Sequence, residues 1–185
     1  MRDRYKTLRS CVLTCKAWSA RSRANLYQRV RFRQSQQIDL FVRSLETNPE
    51  LGGLVHDLHI TPAQAHSHGF FDFAQPNIIG SLTAVTTLQI RQFDWGAQPA
   101  GYCDTVRNFT SITSLEVANA VFTSAQDFVA LAQSLPQLTK LSCGLNRFMQ
   151  SWTARESELL WVVPDEEKFD PCPKLTSLML WVSNF

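Results

Sequence analysis

"ITSLEV" (112–117) is the third of five similar six-residue stretches in this chain of 185 residues. In each, an apolar residue is followed by two polar residues, a leucine, one residue of any kind and a second apolar residue. The others are "VHDLHI" (55–60), "VTTLQI" (85–90), "LTKLSC" (138–143) and "LTSLML" (175–180). Their anchoring leucines are Leu58, Leu88, Leu115, Leu141 and Leu178, at intervals of 30, 27, 26 and 37 residues. An internal repeat of this period indicates similar structural units that stack on one another.

Two flanking positions support the repeat in its last four copies. Three residues before the first apolar position lie Leu82, Phe109, Leu135 and Cys172. Seven residues after the anchoring leucine lie four aromatic residues, Trp95, Phe122, Phe148 and Phe185. Because only 11% of the chain is aromatic, four aromatic residues at one position are unlikely to coincide by chance.

The repeat predicts strands joined by helices. Apolar residues at i and i+2 fit a short strand with one buried face. Between two such strands, "SAQDFVALAQSLP" (124–136) places Ala125, Phe128, Leu131 and Leu135 on one helical face, with Ser124 as the N-cap and Pro136 as the stop. The fold class that follows is α/β, with a parallel sheet.

A strand–loop–helix unit of about 27 residues resembles an irregular leucine-rich-repeat solenoid. An ordinary α/β domain with chance similarity is the alternative. The longest interval carries an insertion at 150–173. The last copy ends at Phe185 without a polar capping segment, so we expect the array to be truncated there.

Composition favours an intracellular protein, cytoplasmic or nuclear. No window is apolar enough to span a bilayer, and no signal-peptide run follows Met1. The five cysteines are odd in number and widely scattered, so we expect them to be reduced.

Charge is divided unevenly along the chain. Residues 1–33 contain ten lysines and arginines and one acidic residue, whereas residues 34–185 contain eight basic and fifteen acidic residues. A basic segment on an acidic body indicates either a nucleic-acid-binding arm or a module that docks on an acidic partner.

The stretch "SCVLTCKAW" (10–18) lies inside the basic segment. Its helical spacing predicts an apolar stripe that packs Trp18 together with Cys11 and Cys15. A zinc site would need further ligands nearby, and the closest histidine is His56. The four histidines (His56, His59, His66 and His68) lack a ligand spacing. We predict neither a metal nor a cofactor.

Taken whole, "LRSCVLTCKAWSARSRANLYQRVRF" (8–32) resembles the second half of an F-box domain. The matching residues are Leu8, Cys11, Leu13, Cys15, Lys16, Ala17, Trp18, Leu26, Tyr27 and Val30. The family's opening helix has no counterpart, because only "RDRYKTL" (2–8) leads into the match. The following segment, 38–60, continues in the style of fungal F-box proteins of the basidiomycete type. It predicts a helix that buries Ile38, Phe41, Val42 and Leu45 and ends near Asn48.

The resemblance implies three segments with different functions. Residues 1–33 would form a partial F-box, 34–54 a linking helix, and 55–185 divergent leucine-rich repeats. An F-box docks on the adaptor of a cullin–RING ubiquitin ligase, and the repeats recognise a protein substrate. The adaptor-binding residues would be Leu8, Val12, Leu13 and Trp18. The substrate-facing strand positions would be Thr86, Thr87, Gln89, Thr113, Ser114, Glu116, Thr139, Lys140 and Ser142.

These patterns favour a non-enzymatic protein that recognises a substrate for ubiquitin-dependent degradation. No nucleophile elbow, P-loop, HExxH or dinucleotide-binding motif occurs. Two alternatives stay open: a nucleic-acid-binding protein that uses the basic segment, or a non-functional fragment of an F-box protein.

Overall fold

The computed structural model describes residues 6–7, 10–11, 16–62, 72–99, 102–144, 147–148 and 174–181. The helices in these ranges are α1 (Lys16–Tyr27), α2 (Ser35–Thr47), α3 (Pro76–Ser81), α4 (Tyr102–Val106) and α5 (Ala125–Gln133), with a 3-10 helix at Pro49–Leu54. None of the helices within the described ranges has the length and apolar character to cross a bilayer.

Six parallel strands form the main sheet. They are β1 (Arg29–Phe32), β2 (Asp57–Ile60), β3 (Thr87–Arg91), β4 (Ser114–Ala118), β6 (Lys140–Gly144) and β8 (Ser177–Trp181), adjacent in that order. Two short strands, β5 (Val121–Phe122) and β7 (Arg147–Phe148), pair in a second parallel sheet. The predicted α/β class with a parallel sheet is therefore confirmed.

The five anchoring leucines lie in one row across the sheet. Leu58 pairs with Leu88, which pairs with Leu115; Leu141 and Leu178 continue the row. The first three are fully buried and Leu141 is nearly so, whereas Leu178 on the last strand is exposed. The spacing of the repeat therefore places the first four of these side chains in the core.

β1, which lies within the predicted segment 1–33, is the first strand of the main sheet. Val30 pairs with Leu58, and Phe32 pairs with Ile60. The Phe32 ring is buried and meets the Phe41 ring edge-on at 5.5 Å between centroids. β1 and α2 therefore contribute side chains to the core of the sheet.

The predicted helix at 38–48 is confirmed. In α2, Ile38, Phe41 and Leu45 are buried and Val42 is half-buried. The helix ends at Thr47, directly before the 3-10 helix that starts with Pro49.

The predicted helix after Ser124 is also confirmed. The Ser124 hydroxyl accepts from the Asp127 backbone N–H, and the Asp127 carboxylate accepts from the Ser124 backbone N–H. This capping box satisfies two backbone donors at the start of α5. Leu131 and Leu135 are buried and Phe128 is half-buried on the inner side.

A sharp turn follows two of the main strands four residues after the anchoring leucine. Gln92 and Asn119 have φ values of 54° and 53°, and both donate backbone N–H groups to the next strand, to the carbonyls of Ala118 and Gly144. The turn brings Trp95 and Phe122 into a stacked pair with centroids 5.6 Å apart. The side chain of Phe148, Phe185 and the insertion at 150–173 lie outside the described residues.

Gly52 is a point of close approach between the 3-10 helix and the end of α3. A Cβ on Gly52 would lie 2.1 Å from the Ser81 carbonyl oxygen, whereas a Cβ on Gly53 would meet nothing within 4 Å. Neither helix can accept the extra carbon at Gly52 without a backbone shift.

We expect Gly52→Ala to lower the free energy of unfolding by about 1–3 kcal/mol, as overpacking of a tight contact does. Gly53→Ala is the matched control and should change it by no more than about 0.5 kcal/mol. Urea denaturation of both variants checks this. Equal effects of the two substitutions would contradict the close approach.

Candidate functional site

The face of the sheet opposite the buried leucines is polar on its first five strands. We call it the open face. Along each strand, side chains alternate between the core and this face. Its residues on the first five strands are Arg29, Arg31, Asp57, His59, Thr87, Gln89, Arg91, Ser114, Glu116, Lys140 and Ser142.

The strand register arranges these residues in two rows. One row runs Arg29, Asp57, Thr87, Ser114 and Lys140; the other runs Arg31, His59, Gln89, Glu116 and Ser142. Neighbours within a row are on adjacent strands about 4.8 Å apart, which is close enough for direct contact.

Six of the nine predicted substrate-facing residues lie within strands on the open face: Thr87, Gln89, Ser114, Glu116, Lys140 and Ser142. The other three, Thr86, Thr113 and Thr139, each lie one residue before a strand, which corrects their description as strand positions. Their hydroxyls donate to backbone carbonyls of the preceding repeat unit, so these hydrogen bonds stabilise the sheet.

These three threonines and Thr176 form a ladder at the strand entries. The Thr113 hydroxyl donates to the Thr86 carbonyl at 3.3 Å, and the Thr139 hydroxyl donates to the Thr113 carbonyl at 3.0 Å. Thr86 and Thr176 repeat the contact, to the carbonyls of His56 and Thr139. Each of these carbonyls also accepts two backbone N–H groups from the next strand entry.

Two ion pairs cross the open face. Both Nε and Nη2 of Arg29 donate to Oδ2 of Asp57, at 3.1 and 3.0 Å. Arg91 donates to Glu116, whose second oxygen accepts from the Gln89 amide. Because the arginines are more than two-fifths exposed, each pair contributes at most about 1 kcal/mol. Their main effect is to fix side-chain orientation.

His59 lies between these pairs and is only 8% exposed. Nη2 of Arg31 lies 3.5 Å from its Nδ1. Burial lowers the pKa of His59, Arg29 and Arg31 lower it further, and Asp57 and Glu116 oppose the shift. The imidazole is therefore held neutral beside a permanent cation.

The prediction from sequence omitted the five charged or titratable residues of the first strands and strand ends: Arg29, Arg31, Asp57, His59 and Arg91. A signal for β1 was present, because Val30 and Phe32 have the spacing of Leu58 and Ile60. Val30 also precedes Leu58 by 28 residues, within the range of the regular intervals. The match of β1 to the repeat was missed because valine replaces the anchoring leucine and arginines flank it.

Of the predicted adaptor-binding residues, Leu8, Val12 and Leu13 lie outside the described residues. Trp18 lies on α1 and is 60% exposed, so the prediction that it packs in a stripe with Cys11 and Cys15 is wrong for its side chain. The inner side of α1 carries Ser19, Ser22 and Leu26, spaced three and four residues apart. Trp18 precedes the buried Ser22 by one turn, yet its own side chain is exposed.

Basic side chains of the N-terminal segment are exposed wherever their side chains are described. They are Lys6, Arg21, Arg23, Arg29, Arg31 and Arg33. This part of the surface is therefore accessible to an anionic partner.

The described part of the chain offers little for metal or thiol chemistry. Within it, no three His, Cys, Asp or Glu side chains come together as a metal site. Cys11 and Cys143 are free and half-buried, and burial raises the pKa of Cys143 to about 12. A thiol with so high a pKa is a poor nucleophile. His66 and His68 lie outside the described residues.

A second polar group lies beside the aromatic cluster. The Tyr102 hydroxyl donates to Asp72 at 3.3 Å and accepts from the Ala74 backbone N–H at 3.1 Å. Burial raises the pKa of Tyr102 above its usual range, and burial also raises the pKa of Asp72. This pair ties the 72–74 segment to α4, and its raised tyrosine pKa does not suit a catalytic base.

A shallow cavity of about 360 Å³ lies between α3 and the turn at 108–111. Its lining includes Ile79, Leu82, Asn108 and Phe109 and contains no ionisable side chain. The charged groups of the open face therefore lie elsewhere.

Comparison with known proteins gives no family. No protein-family model matches the chain, and no curated protein matches its sequence. The open face and Trp18 are thus the features on which a functional argument rests.

The lowered pKa of His59 predicts a pH dependence of stability. The unfolded chain takes up a proton near the ordinary histidine value of 6.5, and the folded chain does so at lower pH. The free energy of unfolding should therefore fall as the pH drops from about 7.5 to 5.5. Urea denaturation of His59→Gln across this range should show a smaller fall than wild type.

His56→Gln is the matched control, because His56 is exposed and precedes the same strand. Its loss of stability over the range should equal that of wild type. If His59→Gln and wild type lose stability in parallel, the burial of a neutral His59 is contradicted.

Proposed function

We propose that this protein is the non-enzymatic, substrate-recognising F-box subunit of a cullin–RING ubiquitin ligase, with a partial F-box and divergent leucine-rich repeats. The observation that carries the proposal is the strand order. Strands of the main sheet follow one another in chain order, with the anchoring leucines in one row. In a leucine-rich repeat, each unit likewise adds one parallel strand beside the last and covers its apolar face.

The exposed side chain of Trp18 supports the adaptor-binding part of the proposal. A tryptophan with most of its surface in water is costly, and tryptophan is enriched in the energetic centres of protein interfaces. Trp18 is the aromatic residue of the "CKAW" segment that resembles the F-box. A docked adaptor would bury it.

The open face supports recognition in preference to catalysis. It presents an extended array of polar side chains, which suits an extended protein segment. Its carboxylates, Asp57 and Glu116, are already engaged by arginines, and its imidazole, His59, is buried beside Arg31. A general acid or base would need a carboxylate or imidazole free to exchange protons with a substrate.

Nucleic-acid binding is the second candidate, and the exposed arginines of α1 and β1 favour it. Arg21, Arg23 and Arg31 form no ion pair within the part of the chain that the structure describes. If duplex DNA is the partner, its affinity will fall steeply with salt, and substituting Arg21, Arg23, Arg29 and Arg31 will abolish binding. A titration with duplex DNA at two salt concentrations distinguishes the two candidates.

Co-precipitation with the ligase adaptor tests the proposal. A version extended upstream by a Leu-Pro helix of the F-box type should bind the adaptor more tightly than the chain as given. In the extended version, Trp18→Ala should weaken adaptor binding at least about tenfold, as loss of an interface tryptophan does. The free energy of unfolding should change by no more than about 0.5 kcal/mol, because the ring is exposed.

Leu40→Ala is the matched control, since Leu40 on α2 is 61% exposed, like Trp18. It should leave adaptor binding unchanged. If neither version of the protein binds the adaptor, the F-box assignment fails. If Trp18→Ala unfolds the protein instead, Trp18 is a core residue and the argument from its exposure fails.

A further inference from the structure

The unpaired positive charge of the open face comes from two residues. The pairs Arg29–Asp57 and Arg91–Glu116 are each neutral overall. Arg31 on β1 and Lys140 on β6 form no ion pair within the described ranges, and both are exposed. The face therefore carries two unpaired cations near its opposite sides.

Arg31 and His59 together make a place for a carboxylate. The guanidinium lies beside the imidazole, with 3.5 Å between Nη2 and Nδ1, and no carboxylate neutralises either of them by direct contact in the described part of the chain. Arg29, on the same strand as Arg31, is held by Asp57 on β2. Glu116, three strands away from β1, is held by Gln89 and Arg91. The guanidinium N–H groups of Arg31 are therefore the ones available to a partner's carboxylate.

The distance between the two cations also sets the length of the peptide segment that can contact both. β1 and β6 are four strand spacings apart, which is about 19 Å across the sheet. An extended peptide advances about 3.3 Å per residue, so about six residues span this distance. The uncharged side chains Thr87, Gln89 and Ser114 lie between the ends.

We propose that the open face binds an acidic, extended segment of the protein substrate, with one carboxylate at Arg31 and His59 and a second about six residues away at Lys140. This inference rests on the proposed function, since it names the class of segment that the recognition surface takes.

Binding should depend on pH. The charged groups around His59 are Arg29 and Arg31 on β1, Asp57 on its own strand, Glu116 on β4, and Arg91 on β3 through its pair with Glu116. A carboxylate placed beside the imidazole adds a negative charge to this set and favours the protonated ring. Affinity should therefore rise as the pH falls.

The test is fluorescence polarisation with a labelled peptide of about twelve residues that carries two Asp-Glu pairs about six residues apart in a Ser/Gln background. The same peptide with Asn-Gln pairs and a single-stranded oligonucleotide of equal length are the comparison probes. We expect the acidic peptide to bind more tightly than both, and more tightly at about pH 6 than at about pH 7.5.

Arg31→Gln should weaken peptide binding about tenfold, whereas Arg43→Gln should change it less than about twofold. Arg43 is the matched control, because it is exposed on α2 and the substitution removes the same charge. His59→Gln should abolish the gain in affinity at lower pH. Thermal unfolding of each variant verifies that it remains folded.

Equal binding of the acidic and neutral peptides, or equal weakening by Arg31→Gln and Arg43→Gln, would overturn the inference. So would tighter binding of the oligonucleotide that is lost in Arg31→Gln, which would point to nucleic acid. The adaptor co-precipitation distinguishes failure of the substrate class from failure of the ligase assignment. If the adaptor binds and the acidic peptide does not, the substrate class is wrong and the ligase assignment stands. If the peptide binds and the adaptor does not, the acidic-segment inference stands and the ligase assignment is wrong.

Discussion

The register of the parallel strands is the constraint on which the rest of the structure depends. Side chains alternate along a strand, so a slip of one residue would bring every leucine of the core row to the water side and every charged residue inward. Backbone carbonyls at the strand entries oppose such a slip. The carbonyls of Gln28, His56, Thr86, Thr113 and Thr139 each accept two backbone N–H groups from the next strand entry. The open face exists because this register is fixed from β1 to β8.

Threonine recurs at the strand entries for the same reason. Its hydroxyl donates to the carbonyl that already receives the two backbone N–H groups, and its branched Cβ favours the extended backbone that a strand needs. From the sequence, Thr86, Thr113 and Thr139 look like surface positions available to a partner. Their role became clear only with the register, because the acceptor of each hydroxyl lies 26 to 30 residues earlier in the chain.

The sequence predicted the elements whose burial follows a simple period. The parallel sheet, the buried leucines, α2 and the capped α5 all came from apolar spacing and a serine N-cap. It did not predict β1 as part of the sheet, since Val30 is a weaker signal than the leucines and lies among arginines. It placed Trp18 inward because large apolar residues dominate a helical pattern. The buried residue of α1 is the small Ser22, which such a pattern counts as polar.

The ion pairs of the open face matter more for selectivity than for stability. Each contributes at most about 1 kcal/mol to folding at this exposure, yet each removes one arginine from the set that a partner can use freely. Arg29 and Arg91 are occupied by Asp57 and Glu116, so Arg31 is the one arginine of the open face that a partner can use freely, with Lys140 as the second free cation near the opposite side. A uniformly basic surface would attract any polyanion, whereas the neutral ion pairs between these two cations offer a carboxylate no net positive charge. Selectivity on this face therefore depends as much on the acidic residues that it carries as on its arginines.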